Sequence, residues 1–429
     1  MKHKLDRRDF IGFFGASALA TLTGCATQAA APAKTVGRVV VIGGGYGGAT
    51  AAKYIRMWSG GAIEVFLVER NQQFVSCPLS NLVLGGSRKI EDLTIGYGGL
   101  REHGVQILND EVSAIDADKK LVKFANKFAD MKYDRLVVSP GVDFLYNEIP
   151  GLNNAEAQKQ ILHAWKAGPE TIALRKQIEG MADGGLYLLS IPKAPYRCPP
   201  GPYERACQVA AYFKQAKPRS KVIILDANPD VTSKAGLFKT AWKDLYPGIV
   251  EYRANQEVKD VDVRGQTLKT DFDSIKGDVL NVIPPQRAGN IAASAKLITT
   301  NNRWCDVDWL SMESVAVKGV HVLGDATLSA SAMPKSASMA NNHAKIAAAA
   351  IVANLTGQPA PTSTTIANTC YSYVSATEAM HVTSVHRYDM EKKTLLPVQG
   401  AGGVSAQRNS LEKSYADAWA ANIWSDSLG

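Results

Sequence analysis

Two sets of residues in this chain of 429 could do chemistry: one glycine loop and six scattered cysteines. The loop reads Gly43-Gly-Gly45-Tyr-Gly-Gly48 and matches G-x-G-x-x-G. In such a loop Gly43 permits the tight turn and Gly45 lets a pyrophosphate approach the backbone. Gly48 lets the following helix pack on the preceding strand. The start of that helix offers free N–H groups and a positive dipole end to phosphates. Glu69 follows Gly48 by 21 residues, where an acid binds ribose hydroxyls. The cysteines are Cys25, Cys77, Cys198, Cys207, Cys305 and Cys370. No two have C-x-x-C spacing and no histidine cluster accompanies them, which argues against a zinc or iron–sulfur site. Taken alone, they read as small buried hydrophobes or structural disulfides.

The loop is framed as its chemistry requires. Gly37–Ile42 is a continuous apolar strand of the kind buried in a parallel sheet, Ala49 to Met57 reads as a helix, and Ile63–Val68 is a second strand ending on Glu69. Two distant segments bear on which dinucleotide binds. Tyr133–Gly141 is a strand running into a glycine turn, and Gly319–Asp325 is another ending in Gly-Asp. Met333-Pro-Lys-Ser336 then opens an alanine-rich helix running to about Leu355. Between them lies a second strand–helix–strand unit: Leu186–Ile191, Tyr203 to Gln215 and Lys221–Asp226. Its loop carries Pro192, Pro195, Pro199, Pro200 and Pro202 around a single glycine, Gly201. Proline has no N–H to give a phosphate. The second unit is therefore expected to lack a nucleotide cradle, and a nicotinamide cofactor is not expected.

Together these segments resemble the fingerprints of two-dinucleotide-fold flavoproteins. The resemblance implies FAD rather than NAD. It puts Asp325 on the ribityl chain and aims the alanine-rich helix at the pyrimidine edge of the flavin. The implied fold is α/β, with two Rossmann-like dinucleotide-binding domains in a glutathione-reductase-like arrangement plus a C-terminal interface domain. The expected boundaries are 36–165 with 285–355 for the FAD-binding domain, 166–284 for the second domain and 356–429 for the last. Tyr371, Tyr373, Trp419 and Trp424 are expected either at a partner interface or in the core of that last module.

A closer resemblance rests on Cys77-Pro-Leu-Ser-Asn81, Arg197-Cys-Pro-Pro-Gly-Pro-Tyr-Glu-Arg205, Ile283-Pro-Pro-Gln-Arg-Ala-Gly289, Met333–Ser336 and Asn368-Thr-Cys-Tyr371. With these strings the chain resembles the flavoprotein subunit of flavocytochrome c sulfide dehydrogenase, a relative of sulfide:quinone oxidoreductases. The resemblance implies that Cys77 carries FAD by a thioether and that Cys198 and Cys370 form a redox-active disulfide. It also implies sulfide as substrate and a c-type cytochrome subunit, carrying haem c, as electron acceptor. Arg197, Arg205 and Lys335 are candidate cations for an anionic substrate and a thiolate. Cys207 and Cys305 receive no role. Two other readings stand beside this one. A membrane-associated sulfide:quinone reductase would need an amphipathic C-terminal anchor, which residues 401–429 do not clearly supply. The other alternative is a non-catalytic flavin electron-transfer module.

Composition sets the outer limits. Hydrophobic residues make up 46% of the chain and charged residues 21%, too apolar for a disordered protein. No apolar run approaches the roughly 18 residues of a membrane span, so no integral span is expected. Arg7-Arg8 precedes the apolar stretch Phe10 to Leu22, the form of a twin-arginine export signal over residues 1–31. Leu22-Thr-Gly-Cys25 would make Cys25 a lipid anchor, whereas Ala29-Ala30-Ala31 would serve simple cleavage. Either way a periplasmic location is expected, where disulfides persist. The net charge of +8 falls to +6 without the leader, which holds four basic and two acidic residues. That excess is too diffuse to argue for nucleic acid.

Overall fold

The computed structural model describes residues 35–429, and the leader with Arg7-Arg8 and Cys25 lies outside the described residues. The fold is α/β. Its first sheet has five parallel strands in the order Val320–Val322, Arg135–Val138, Gly37–Ile42, Ile63–Val68 and Gln106–Leu108. Val39, Val40 and Val41 are fully buried at its centre, which is why this strand reads as an unbroken apolar run. The strand Val320–Val322 returns to this sheet from far along the chain, pairing with Leu136–Val138. What intervenes builds a second parallel sheet, ordered Val250–Arg253, Lys221–Asp226, Leu186–Ile191 and Val279–Val282.

Three helices start at places that matter for the site. The first spans Tyr46–Trp58, three residues earlier than expected, because Gly45 already serves as its N-cap. The helix of the second unit spans Gly201–Ala216 and starts directly after Pro200. The alanine-rich helix spans Ala337–Thr356, and the Ser336 hydroxyl accepts from Met339 N as its cap. Met333 to Lys335 are therefore an approach to this helix rather than part of it.

The C-terminal module is an antiparallel sheet of Thr365–Tyr373, Ala379–Asp389 and Thr394–Val404, followed by the helix Ser410–Leu428. Its aromatics are spent within the chain. Tyr373 donates to Asp417, the Trp424 indole N–H donates to the Tyr46 hydroxyl, and Trp419 packs 6.2 Å from the Tyr371 ring. Leu411 and Tyr415 on the same helix remain exposed. Among the described residues, no helix is long and apolar enough to cross a membrane.

Candidate active site

The C-terminal ends of the first sheet, the loop 192–202 and the C-terminal module enclose a cavity of about 1040 Å³. The glycine loop forms one end. Gly43 has φ +95°, and a Cβ there would lie 2.4 Å from the Ser139 carbonyl oxygen, so the turn requires glycine. A Cβ on Gly48 would lie 1.8 Å from the Gly43 carbonyl oxygen. Gly45 differs: nothing lies within 4 Å of its Cβ position, and it opens on the cavity at the start of the helix. Glu69 lines the cavity and ties the loop down, accepting from Gly44 N at 2.7 Å and from Asn71 N at 2.8 Å.

The other end gathers three cysteines. Cys77, Cys198 and Cys370 all line the cavity, although 172 residues separate the last two. Cys77 Sγ accepts from Ala167 N at 3.4 Å. Cys198 sits at φ +56°, a strained left-handed conformation for a non-glycine residue, held by its N–H donating to the Lys335 carbonyl at 2.8 Å. Gly201 makes room for its sulfur, since a Cβ there would meet Cys198 Sγ at 2.9 Å and the Trp165 ring at 2.8 Å. Burial pushes the Cys198 thiol up, and negative charge on Cys370 and Glu204 pushes it further. Burial also raises Cys370, but Lys234 and hydrogen bonds with Asn368 and Ser336 oppose the rise. Cys207 and Cys305 are fully buried outside this cavity.

Cys77, Cys198, Cys207, Cys305 and Cys370 carry no disulfide bond among the described residues. Two of the three candidate cations need correction. Arg205 is not a free cation. It is 1% exposed and locked, donating to the carbonyls of His163 and Ala164 at 2.6 Å and to Asn81 and Asn281 at 3.0 and 2.9 Å. A guanidinium this fully engaged is a strut between segments. Lys335 turns away from the cavity, giving its ammonium to the Thr327 carbonyl and the Trp304 ring, while burial pulls it down to about 8. Arg197 and Arg205 both line the cavity, and of the two it is Arg197 whose Nε is buried without a partner. Sequence reasoning missed Glu204, Trp165 and Lys234. Glu204 lay inside a recognised string, but Lys234 sits in a loop with no distinguishing pattern.

The residues present fit FAD. Asp325 is half-buried on the cavity wall with one buried carboxylate oxygen unpartnered, and desolvation raises its pKa against the pull of Arg197 and Lys335. The Trp165 indole N–H and the Arg197 Nε are likewise buried without partners beside the cavity. A ligand bearing hydroxyls, a pyrophosphate and a polar ring would satisfy these atoms and fill the open space at Gly45.

Fold and cavity together define a flavin oxidoreductase of the two-dinucleotide-fold class. Residues 37–169 match the pyridine nucleotide-disulphide oxidoreductase family model. Residues 171–284 match the central domain of the sulfide dehydrogenase [flavocytochrome c] flavoprotein chain, and 362–428 match the flavin-binding domain of flavocytochrome c sulphide dehydrogenase. The flavoprotein chain of that enzyme from Chlorobaculum thiosulfatiphilum is 56% identical over 46 residues, which are 11% of this chain and 94% of that sequence. The mitochondrial sulfide:quinone oxidoreductase of Mus musculus is 24% identical over 314 residues, 70% of this chain and 68% of the mouse protein. Among solved structures, the Aquifex aeolicus sulfide:quinone oxidoreductase superposes with a TM-score of 0.74 at 17% identity, covering 91% of each chain. The chain belongs to the family of flavocytochrome c sulfide dehydrogenase flavoprotein chains.

Proposed function

We propose that this chain oxidises hydrosulfide at Cys198 and Cys370 and passes the electrons through FAD to a c-type cytochrome. The observation that carries the reading is the convergence of both cysteines on the cavity that also holds the glycine loop, Glu69 and Asp325. In the oxidised state the pair forms a disulfide. Hydrosulfide attacks one sulfur; that sulfur becomes a persulfide and the other leaves as a thiolate. A second hydrosulfide takes the sulfane sulfur as a hydrodisulfide anion, leaving the pair reduced. FAD, held by the Gly43–Gly48 loop, Glu69 and Asp325, would supply the two-electron acceptor that lets the reduced pair close to a disulfide again, and a one-electron outlet to the haem. Arg197 supplies positive charge at the cavity wall for the anionic substrate, and Trp165 and Glu204 shape the space around Cys198.

Cys77 lines the cavity, and the family supports reading it as the covalent attachment point of the flavin. The acceptor is read as a haem c subunit from the family, and the location as periplasmic from Arg7-Arg8. The inward packing of Trp419, Ile423 and Trp424 favours this acceptor over a membrane quinone, because those residues are not free to enter a bilayer. Anaerobic addition of sulfide should bleach the flavin and then reduce cytochrome c. Cys198→Ser and Cys370→Ser should each abolish both steps while dithionite still bleaches the flavin. Full sulfide turnover in either variant would overturn the reading, and faster transfer to a soluble quinone than to cytochrome c would overturn the acceptor.

A further inference from the structure

One buried cation lies behind the cysteine pair without lining the cavity. Lys234 precedes the helix Ala235–Leu245 as its N-cap, at φ +57° and 7% exposure. That backbone region suits glycine or asparagine and is strained for a lysine. Its side chain gives the helix no cap hydrogen bond. The ammonium donates instead to the Cys370 carbonyl at 3.0 Å and to the Ser372 hydroxyl at 2.8 Å, both neutral acceptors. A buried ammonium is costly unless an anion forms beside it.

The groups around Cys370 act in both directions. Its Sγ donates to Asn368 Oδ1 at 3.4 Å, and Ser336 donates to the same oxygen at 2.7 Å. Ser336 caps the 20-residue helix Ala337–Thr356, whose positive end therefore lies beside this cluster. Glu204 opposes a thiolate here. Its carboxylate is held by Asn81 and by Tyr373 N. Cys198 has Arg197 and Lys234 in its favour, but bears the opposing charges of Cys370 and Glu204. Glu412 adds a further attraction on Lys234.

We propose that Lys234 is a positioning residue that decides which thiol of the reduced pair ionises first, holding Cys370 as thiolate while Cys198 keeps its proton. The inference rests on the reading of these two cysteines as the redox pair. The ionising proton leaves to solvent and the Lys234 ammonium balances the remaining charge. The reduced pair thus carries one negative charge, placed at Cys370.

Alkylation tests this without any sulfide. The reduced, flavin-loaded protein is treated anaerobically with iodoacetamide across a pH series, and mass spectrometry follows Cys198 and Cys370 separately. In the natural chain Cys370 should react first. In a Cys198→Ser background, Lys234→Met should slow Cys370 alkylation about tenfold or more at neutral pH and move its midpoint upward, since a nearby opposite charge shifts a pKa by roughly 1–3 units. Lys234→Arg should restore most of the rate. An unchanged pH profile in Lys234→Met, or Cys198 reacting first in the natural chain, overturns the proposal. The second outcome decides it even if Lys234→Met does not fold. A chain that shows the Lys234 effect but cannot oxidise sulfide would defeat the functional reading alone.

Discussion

The two Rossmann-like units share a topology and put it to opposite uses. In the first, the strand Gly37–Ile42 runs into glycines, and the acid after the next strand, Glu69, stays on the cavity wall. In the second, the strand Leu186–Ile191 runs into prolines, and the acid in the equivalent place, Asp226, is 0% exposed. Its carboxylate is filled by the hydroxyls of Tyr203 at 2.7 Å and Tyr252 at 3.0 Å and by the Asn228 N–H groups. Where a phosphate would meet the start of the second helix, Gly201 packs on Cys198 and Trp165. A nucleotide-binding frame has become a platform for a cysteine. The lesson is that topology positions a site, while the loops and the terminal acid decide what occupies it.

The largest contrast this predicts is in reductants. NADH and NADPH should not reduce the flavin within a turnover time, whereas sulfide should reduce it fully. Rapid stopped-flow bleaching by either nucleotide would break the comparison outright. Next in size is the glycine loop. Gly48→Ala forces the Gly43 carbonyl to move, so flavin content after purification should fall to about a tenth or less, overpacking against backbone being the costly kind. Gly45→Ala meets open space, so the fold should keep its thermal stability while flavin retention weakens. Equal stability losses in the two variants would show that both glycines serve packing alone. Cys77→Ala should still bind FAD through Glu69 and Asp325 but release it on acid precipitation. Flavin that stays with the denatured variant would place the covalent link elsewhere.

Much of this was legible in the chain because it is local. The glycine loop, its two strands and Glu69 fall within 33 residues, and each has a type that the geometry demands. The proline loop is local in the same way, its five prolines falling between positions 192 and 202. Non-local facts were not legible. Arg205 looks like any helix cation until His163, Ala164, Asn81 and Asn281 close around it. Lys234 is set beside Cys370 by a contact spanning 136 residues, and nothing in its neighbours foretells that. The aromatics of the C-terminal module could have faced a partner or the chain itself, and only packing decided.

The smallest effect isolates the sealed acid of the second unit. Burial raises the Asp226 pKa above its ordinary carboxylate value, and Tyr203 and Asn228 hold it back. A folded-state pKa raised in this way means the native protein binds the proton more tightly than the unfolded chain. The stability contributed by Asp226 is therefore present at low pH and declines as pH rises through the raised value. Tyr203→Phe removes one hydrogen bond to the carboxylate, worth about 1.5–3 kcal/mol when the acceptor is charged. The pKa should rise further, so the loss of stability relative to the natural chain should be larger at pH 7 than at pH 4. Chemical denaturation of both proteins at the two pH values measures the difference. If the Tyr203→Phe penalty is the same at pH 4 and pH 7, Asp226 does not carry a charge in the native state near neutrality, and the acid is sealed as a neutral group.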